Sequence, residues 1–225
     1  MSTIAYCIAT GGYTPVEIAR RQQLIDTLVP REIRIEPVVI PAGPQFLDRA
    51  TDFDTAIKAA ADFATTIDPA KYDIVISAGA IDPGLAGLRA RAPLPVVGPG
   101  ESSMFFASAW GMPLSVVTVD EHAVANTHKM LGLLKAKPPI ASVRSLDMPV
   151  RRIVQDLDAA KEAVRREARL AVEKDGARAI YLGAMTLGTL GLDEELRRDL
   201  RVAVFNPIRC ALTVAVACVQ QRALS

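Results

Sequence analysis

The chain has 225 residues, of which 50% are hydrophobic and 23% charged, enough for one large domain or two small lobes with a proper core. Its 26 basic and 25 acidic residues leave a formal net charge of +1, with no basic run and no aromatic-basic interleaving, which argues against a nucleic-acid partner. Cys7, Cys210 and Cys218 form no Cys-x-x-Cys pair, so no disulfide scaffold or zinc ribbon is expected, and each reads as a small buried apolar residue.

Met1 to Gly12 has no basic segment and no cleavage site; it reads as a first core strand, "IAYCIA" from Ile4, and points to a cytoplasmic protein. That strand ends near Thr10-Gly11-Gly12, because Thr14-Pro15-Val16-Glu17 is a Thr-x-x-Glu capping box with proline in the first turn of a helix. Strand-like runs follow at Ile33 ("IRIEPVVI"), Asp73 ("DIVISA"), Leu94 ("LPVVG"), Leu114 ("LSVVTV"), Ala177 ("ARAIYLG") and Arg201 ("RVAVF"), with helix-length segments between them. The alternation predicts an α/β architecture with mostly parallel sheets. Asp156 to Gly176 mixes opposite charges at helical spacing and stops at glycine, as a solvated amphipathic helix does. "CALTVAVACV", Cys210 to Val219, is the most apolar run but is half of the roughly 20 residues that cross a membrane, so it reads as a buried helix and no membrane contact is expected.

One internal repeat is visible. The segments beginning at Tyr72 and at Ala177 share an order: buried strand, small-residue loop, helix with Leu and Arg, short strand, Gly-Pro or Asn-Pro turn, apolar helix. Two similar three-layer α/β lobes related by a pseudo-twofold would bring both small-residue loops to one cleft, since ligands sit beyond the C-terminal ends of parallel strands. The expected division is an N-terminal lobe of residues 1–98 with 206–225, and a C-terminal lobe of residues 99–205.

Several segments carry a resemblance: Asp82-Pro83-Gly84-Leu85, "PVVGPGE" at Pro95, "LSVVTV" at Leu114, "GARAIYLGAMTLG" at Gly176 and "VFNPIRCAL" at Val204. In their order and spacing they resemble the aspartate/glutamate/hydantoin racemase superfamily, nearest its hydantoin racemase branch. Where hydantoin-type members carry Asn-Pro-Asn-Thr after strand one, this chain has Ala9-Thr10-Gly11-Gly12. The resemblance implies two catalytic cysteines, one at a strand end in each lobe: one thiolate removes a proton and the other thiol delivers one to the opposite face. Lining up the motifs puts these positions at Gly79 and Ala184, neither of which can exchange a proton. Family members with a single thiol decarboxylate instead, and members commonly assemble into dimers or larger oligomers, so a homo-oligomer is expected.

Other groups are then candidates for the chemistry. Glu101, after Gly98-Pro99-Gly100, is either a helix first-turn carboxylate or a general base. Asp82 is either a turn former or a second base, and His122, just past the Leu114 strand, is a third candidate or a surface residue. His122 and His128 are six apart, a spacing that does not place two ligands on one helix face, so no metal is expected. The small-residue loops Thr10-Gly11-Gly12, Gly79-Ala80 and Gly183-Ala184-Met185 offer backbone N–H groups to a carboxylate or oxyanion, with hydroxyls from Tyr13, Thr118 and Thr186 beside them. Arg209 is a further candidate partner for a carboxylate. No P-loop, dinucleotide fingerprint or Gly-x-Ser-x-Gly elbow occurs, so no cofactor is expected. The expected function is a cysteine-independent enzyme on a small carboxylate or cyclic amide, by hydrolysis, bond cleavage or isomerisation. The alternative is a non-catalytic small-molecule binding or regulatory homologue.

Overall fold

The computed structural model describes residues 2–222. Its first half runs β1 (Ser2–Ile8), α1 (Pro15–Asp26), β2 (Ile33–Val39), α2 (Ala50–Phe63), β3 (Ile74–Ser77), α3 (Leu85–Arg91), β4 (Val96–Val97) and α4 (Pro99–Trp110). The second half runs β5 (Leu114–Thr118), α5 (Glu121–Leu133), β6 (Ile140–Ser145), α6 (Val150–Gln155), α7 (Leu157–Asp175), β7 (Ala179–Leu182), α8 (Met185–Gly188), α9 (Asp193–Leu200), β8 (Ala203–Phe205) and α10 (Pro207–Arg222). The strands form two four-stranded sheets, β2-β1-β3-β4 and β6-β5-β7-β8, and every pairing is parallel. The repeat seen in the sequence is thus a repeat of sheet order.

Local chemistry sets the boundaries. At α1 the capping box closes in both directions: the Glu17 amide donates to Thr14 Oγ1 at 3.3 Å, and the Thr14 amide donates to Glu17 Oε2 at 2.8 Å. Helix α7 begins where the Ala159 amide donates to Asp156 Oδ1 at 3.0 Å, and it ends at Gly176 with φ of +72°. β6 is a strand that hydrophobicity does not announce: all six of its residues are half-buried at a sheet edge, and its Arg144 pairs with Glu167 and Asp175 of α7.

Each sheet is packed on both faces. Ala60, Leu85 and Leu88 of α2 and α3 cover Val75 and Val96 of the first sheet, and Val164, Ala168 and Ala171 of α7 cover Val117 and Ile180 of the second. Between the sheets lies one continuous core holding Ile4, Tyr6 and Ile76 from the first and Leu114, Val116 and Tyr181 from the second. Helix α10 packs on α4 and on β3 and β4, so the C-terminal helix returns to the first sheet.

Candidate functional site

In each sheet the central strands are the pair where the strand order changes direction, β1 and β3 in the first and β5 and β7 in the second. Crevices open at such switch points, beyond the strands' C-terminal ends. Here both crevices contribute to one cavity of about 60 Å³. It is lined by Ala9, Thr10 and Tyr13 after β1, by Ala78 to Ile81 and Pro83 after β3, by Val119 after β5, and by Gly183 to Thr186 after β7. Leu47, Phe53, Ala123 and Val150 complete the walls. Tyr13 hydroxyl meets Thr186 Oγ1 across it at 3.2 Å.

Eight sequence-predicted residues therefore come together: Thr10, Tyr13, Gly79, Ala80, Gly183, Ala184, Met185 and Thr186. The loop amides are redistributed relative to expectation. Gly11 and Gly12 amides donate to Pro44 and Gln45 carbonyls at 2.9 and 2.8 Å, and those of Gly79 and Gly183 donate to Ser77 and Val117 carbonyls at 2.7 and 2.8 Å. None of these four is left for a ligand. The next residue in each lobe, Ala80 and Ala184, lines the cavity, and its amide has no acceptor among the described residues. Thr118 is fully buried and donates from Oγ1 to the Gly183 carbonyl at 3.2 Å, shaping the loop rather than the cavity. A side chain at Gly183 would run into Val116 and Thr118, with a Cβ 2.8 Å from Val116 Cγ1.

The structure does not bring the expected acids and bases to this place. His122 is exposed in the first turn of α5. Glu101 is ion-paired with Arg89 near the surface. Asp82 is half-buried and holds the start of α4: its Oδ1 accepts from the Gly100 amide at 2.9 Å and its Oδ2 from the Glu101 amide at 2.6 Å. Gly98 and Gly100 make that approach feasible, since a Cβ on either would sit within 2.9 Å of Asp82 side-chain atoms. The Asp-Pro-Gly and Gly-Pro-Gly-Glu segments are thus two halves of one clasp. Arg209 pairs loosely with Asp193 at 3.9 Å instead of facing the cavity. A wider surface groove of about 840 Å³ holds the charge that the cavity lacks, including Glu17, Arg20, Asp48, Asp52 and Arg151.

A family model described as Asp/Glu/Hydantoin racemase matches residues 19–215. The chain belongs to the Asp/Glu/hydantoin racemase family. Hydantoin racemase from Paenarthrobacter aurescens is 30% identical over 134 residues, 60% of this chain and 56% of that protein. The chain thus spans about half the length of the hydantoin racemases it matches. Allantoin racemase from Pseudomonas fluorescens has a TM-score of 0.87 at 27% identity, covering 98% of this chain and 92% of that one. Allantoin racemase from Klebsiella pneumoniae has a TM-score of 0.86 at 23% identity, covering 99% and 89%.

The family match begins beyond Tyr13, so the first wall of the cavity, Ala9 to Tyr13, lies outside it. Within this racemase-family cavity no Cys, Asp, Glu, His, Lys or Arg side chain is found among the described residues. The thiols lie elsewhere, and burial pushes Cys7 up to about 12 and Cys210 up to about 11. No helix among the described residues is long and apolar enough to cross a membrane.

Sequence reasoning missed the apolar walls Leu47, Phe53 and Val150, which come from loops and helix starts that carry no motif. It also missed Arg21, whose guanidinium carbon lies 4.6 Å from the Tyr13 ring centroid. Its signal was a charged residue on the buried stripe of α1 beside Ile25.

Proposed function

We propose that this chain is a small-molecule enzyme of the racemase family that holds a small carboxylate or cyclic amide between its lobes and leaves proton transfer to Tyr13. The observation that carries this is the cavity lining: it includes Ala80 and Ala184, whose loop amides have no acceptor among the described residues, and Tyr13 is the single titratable side chain in it among those residues. Backbone amides with no other acceptor suit a developing negative charge, because they need not reorganise when it forms. Water would take the proton from the acidic carbon, the carbanion would take the Tyr13 hydroxyl proton, and the hydronium would return one to the tyrosinate. One acid on one face supports isomerisation or protonation after bond cleavage, whereas two-faced proton exchange by paired thiols has no groups to run on.

The cavity of about 60 Å³ holds a reacting centre rather than a whole ring, so the lobes part when a ligand enters. The test is hydrogen–deuterium exchange at the acidic carbon of the enantiomers of a 5-substituted hydantoin and of allantoin, followed by NMR in D2O. Tyr13→Phe is expected to slow exchange by about 10² while leaving ligand affinity nearly unchanged. Equal rates in both proteins would remove Tyr13 from the mechanism. The outward placement of Glu101 and His122 favours a second reading, a non-catalytic binder, and binding without any exchange or turnover would establish it.

A further inference from the structure

Helix α1 turns Arg21 and Ile25 into the protein, one helical turn apart, so a guanidinium occupies a buried stripe where an aliphatic side chain is the ordinary choice. Arg21 is only 5% exposed, and its Nε has no hydrogen-bond partner among the described residues. No carboxylate there forms an ion pair with it either. Glu17 exerts the weakest of the named electrostatic influences on Arg21, and its Oε2 is committed to the Thr14 amide at 2.8 Å and the Thr14 hydroxyl at 3.0 Å. Tyr6 supplies no counter-charge: burial pushes its hydroxyl up to about 12, so it stays protonated.

An arginine remains charged even in the interior. The protein therefore buries a permanent cation that makes no ion pair, its charge supported by the neighbouring tyrosines Tyr6 and Tyr13 and more weakly by Glu17. Tyrosine rings and hydroxyls supply dipoles rather than a charge, so a nearby anion would still be favoured. What lies next to it is the Tyr13 ring, 4.6 Å from the guanidinium carbon, and Tyr13 lines the cavity.

We infer that the ligand supplies the full negative charge that no ion pair provides: Arg21, acting past the Tyr13 ring, makes the cavity select an anionic occupant over a neutral one of the same shape. The occupant is a carboxylate or the deprotonated form of a cyclic amide. This rests on the reading of the cavity as the ligand site. Arg21 does not line the cavity, so its part is to set charge preference and to hold the Tyr13 ring.

The test is calorimetric titration of the full chain with hydantoin-5-acetate and with its neutral isostere hydantoin-5-acetamide. In the wild type the carboxylate is expected to bind about tenfold or more tightly than the amide. Arg21→Lys, which keeps the charge, is expected to retain the preference. Arg21→Met is expected to abolish it while leaving amide affinity within about threefold, and to melt at or above the wild type, since it replaces an unpaired buried charge with an apolar chain. Equal weakening of both ligands by Arg21→Met, an unaltered preference, or a melting point well below the wild type would each overturn the inference, the last by making Arg21 a structural partner. Wild type that binds both probes equally refutes the role of Arg21 alone. Wild type that binds neither refutes the ligand site with it.

Discussion

Asp82 adopts a left-handed backbone, φ +54°, in order to aim its carboxylate at the first amides of α4. Aspartate tolerates that region better than most side chains, which is why a turn former doubles here as a helix anchor. Two opposing effects act on its proton. Burial raises its affinity for the proton, the two amide donors lower it, and burial wins, pushing the group from its usual range up to about 7. A carboxyl whose folded-state pKa is raised binds more protons folded than unfolded between about 4 and 7, so its contribution is fully present below about 4 and is lost as pH rises through 7. Chemical denaturation is therefore expected to show stability falling by about 2–3 kcal/mol between pH 5 and pH 8. The acids whose protons are held less tightly in the fold, such as Glu36 and Asp175, are fully ionised throughout that window and do not contribute to the slope. Asp120, whose proton burial also holds more tightly, adds to the fall, so Asp82→Asn should reduce the slope without abolishing it. A slope equal to the wild type's in the variant would assign the effect to another group.

At the scale of elements, the turn after β3 shows how this chain is built around the absence of a side chain. A Cβ at Gly79 would lie 2.5 Å from Pro83 Cδ and 2.8 Å from Pro83 Cγ, so the turn that closes on Asp82 has moved into the space that a cysteine would need. Gly79 does not have a positive φ, and a substitution there meets steric obstruction rather than backbone strain. Gly79→Ala should destabilise the fold by about 1–3 kcal/mol through overpacking, and Pro83→Ala in the same chain should recover at least about 1 kcal/mol of it. Simple additivity of the two changes would show that the loop relaxes freely and could readmit a thiol. This contact was not legible in the sequence, because residues four apart in a loop announce no distance. What was legible followed from strong local rules. Thr14 and Glu17 state a capping box, Gly176 ends α7, and the apolar runs at Ile4, Ile33 and Leu114 become strands. β6 escaped because an edge strand carrying Arg144 and two serines buries each residue only by half. The eight cavity residues were legible because strand ends are fixed by topology. Asp82 and Glu101 could not be placed, because whether a carboxylate faces a cleft or a helix start depends on side-chain direction, which spacing does not encode.

The two lobes share one core, and polar contacts also join them around the cavity. Tyr13 meets Thr186 at 3.2 Å, Arg20 reaches Thr189 at 3.4 Å, and Tyr181 donates to the Ala80 carbonyl beneath the loops. Over the top, Phe46 packs against the core of the second sheet and Leu47 lines the cavity, while the next residue, Asp48, accepts a hydrogen bond from Arg151 Nε at 2.7 Å. The segment between β2 and α2 is thereby strapped across the cavity to α6. Arg151 is largely exposed whereas the Asp48 side chain is 5% exposed, so removing the arginine leaves a carboxylate in a dry place with one oxygen already unpartnered. Water entering from the groove that both residues line can then compete for the carboxylate, and the segment loses its tie to α6. In Arg151→Ala, amide hydrogen exchange should therefore accelerate by about tenfold, equivalent to roughly 1.4 kcal/mol, at Gly11, Gly12 and their neighbours, which donate to Pro44 and Gln45. Amides of β1 and β5, buried in the shared core, should keep wild-type rates, and ligand association should quicken because the strap no longer has to be broken first. Uniform acceleration across both sheets would mean that the ion pair supports the whole fold, and unchanged exchange at Gly11 and Gly12 would mean that the strap is held by Phe46 alone.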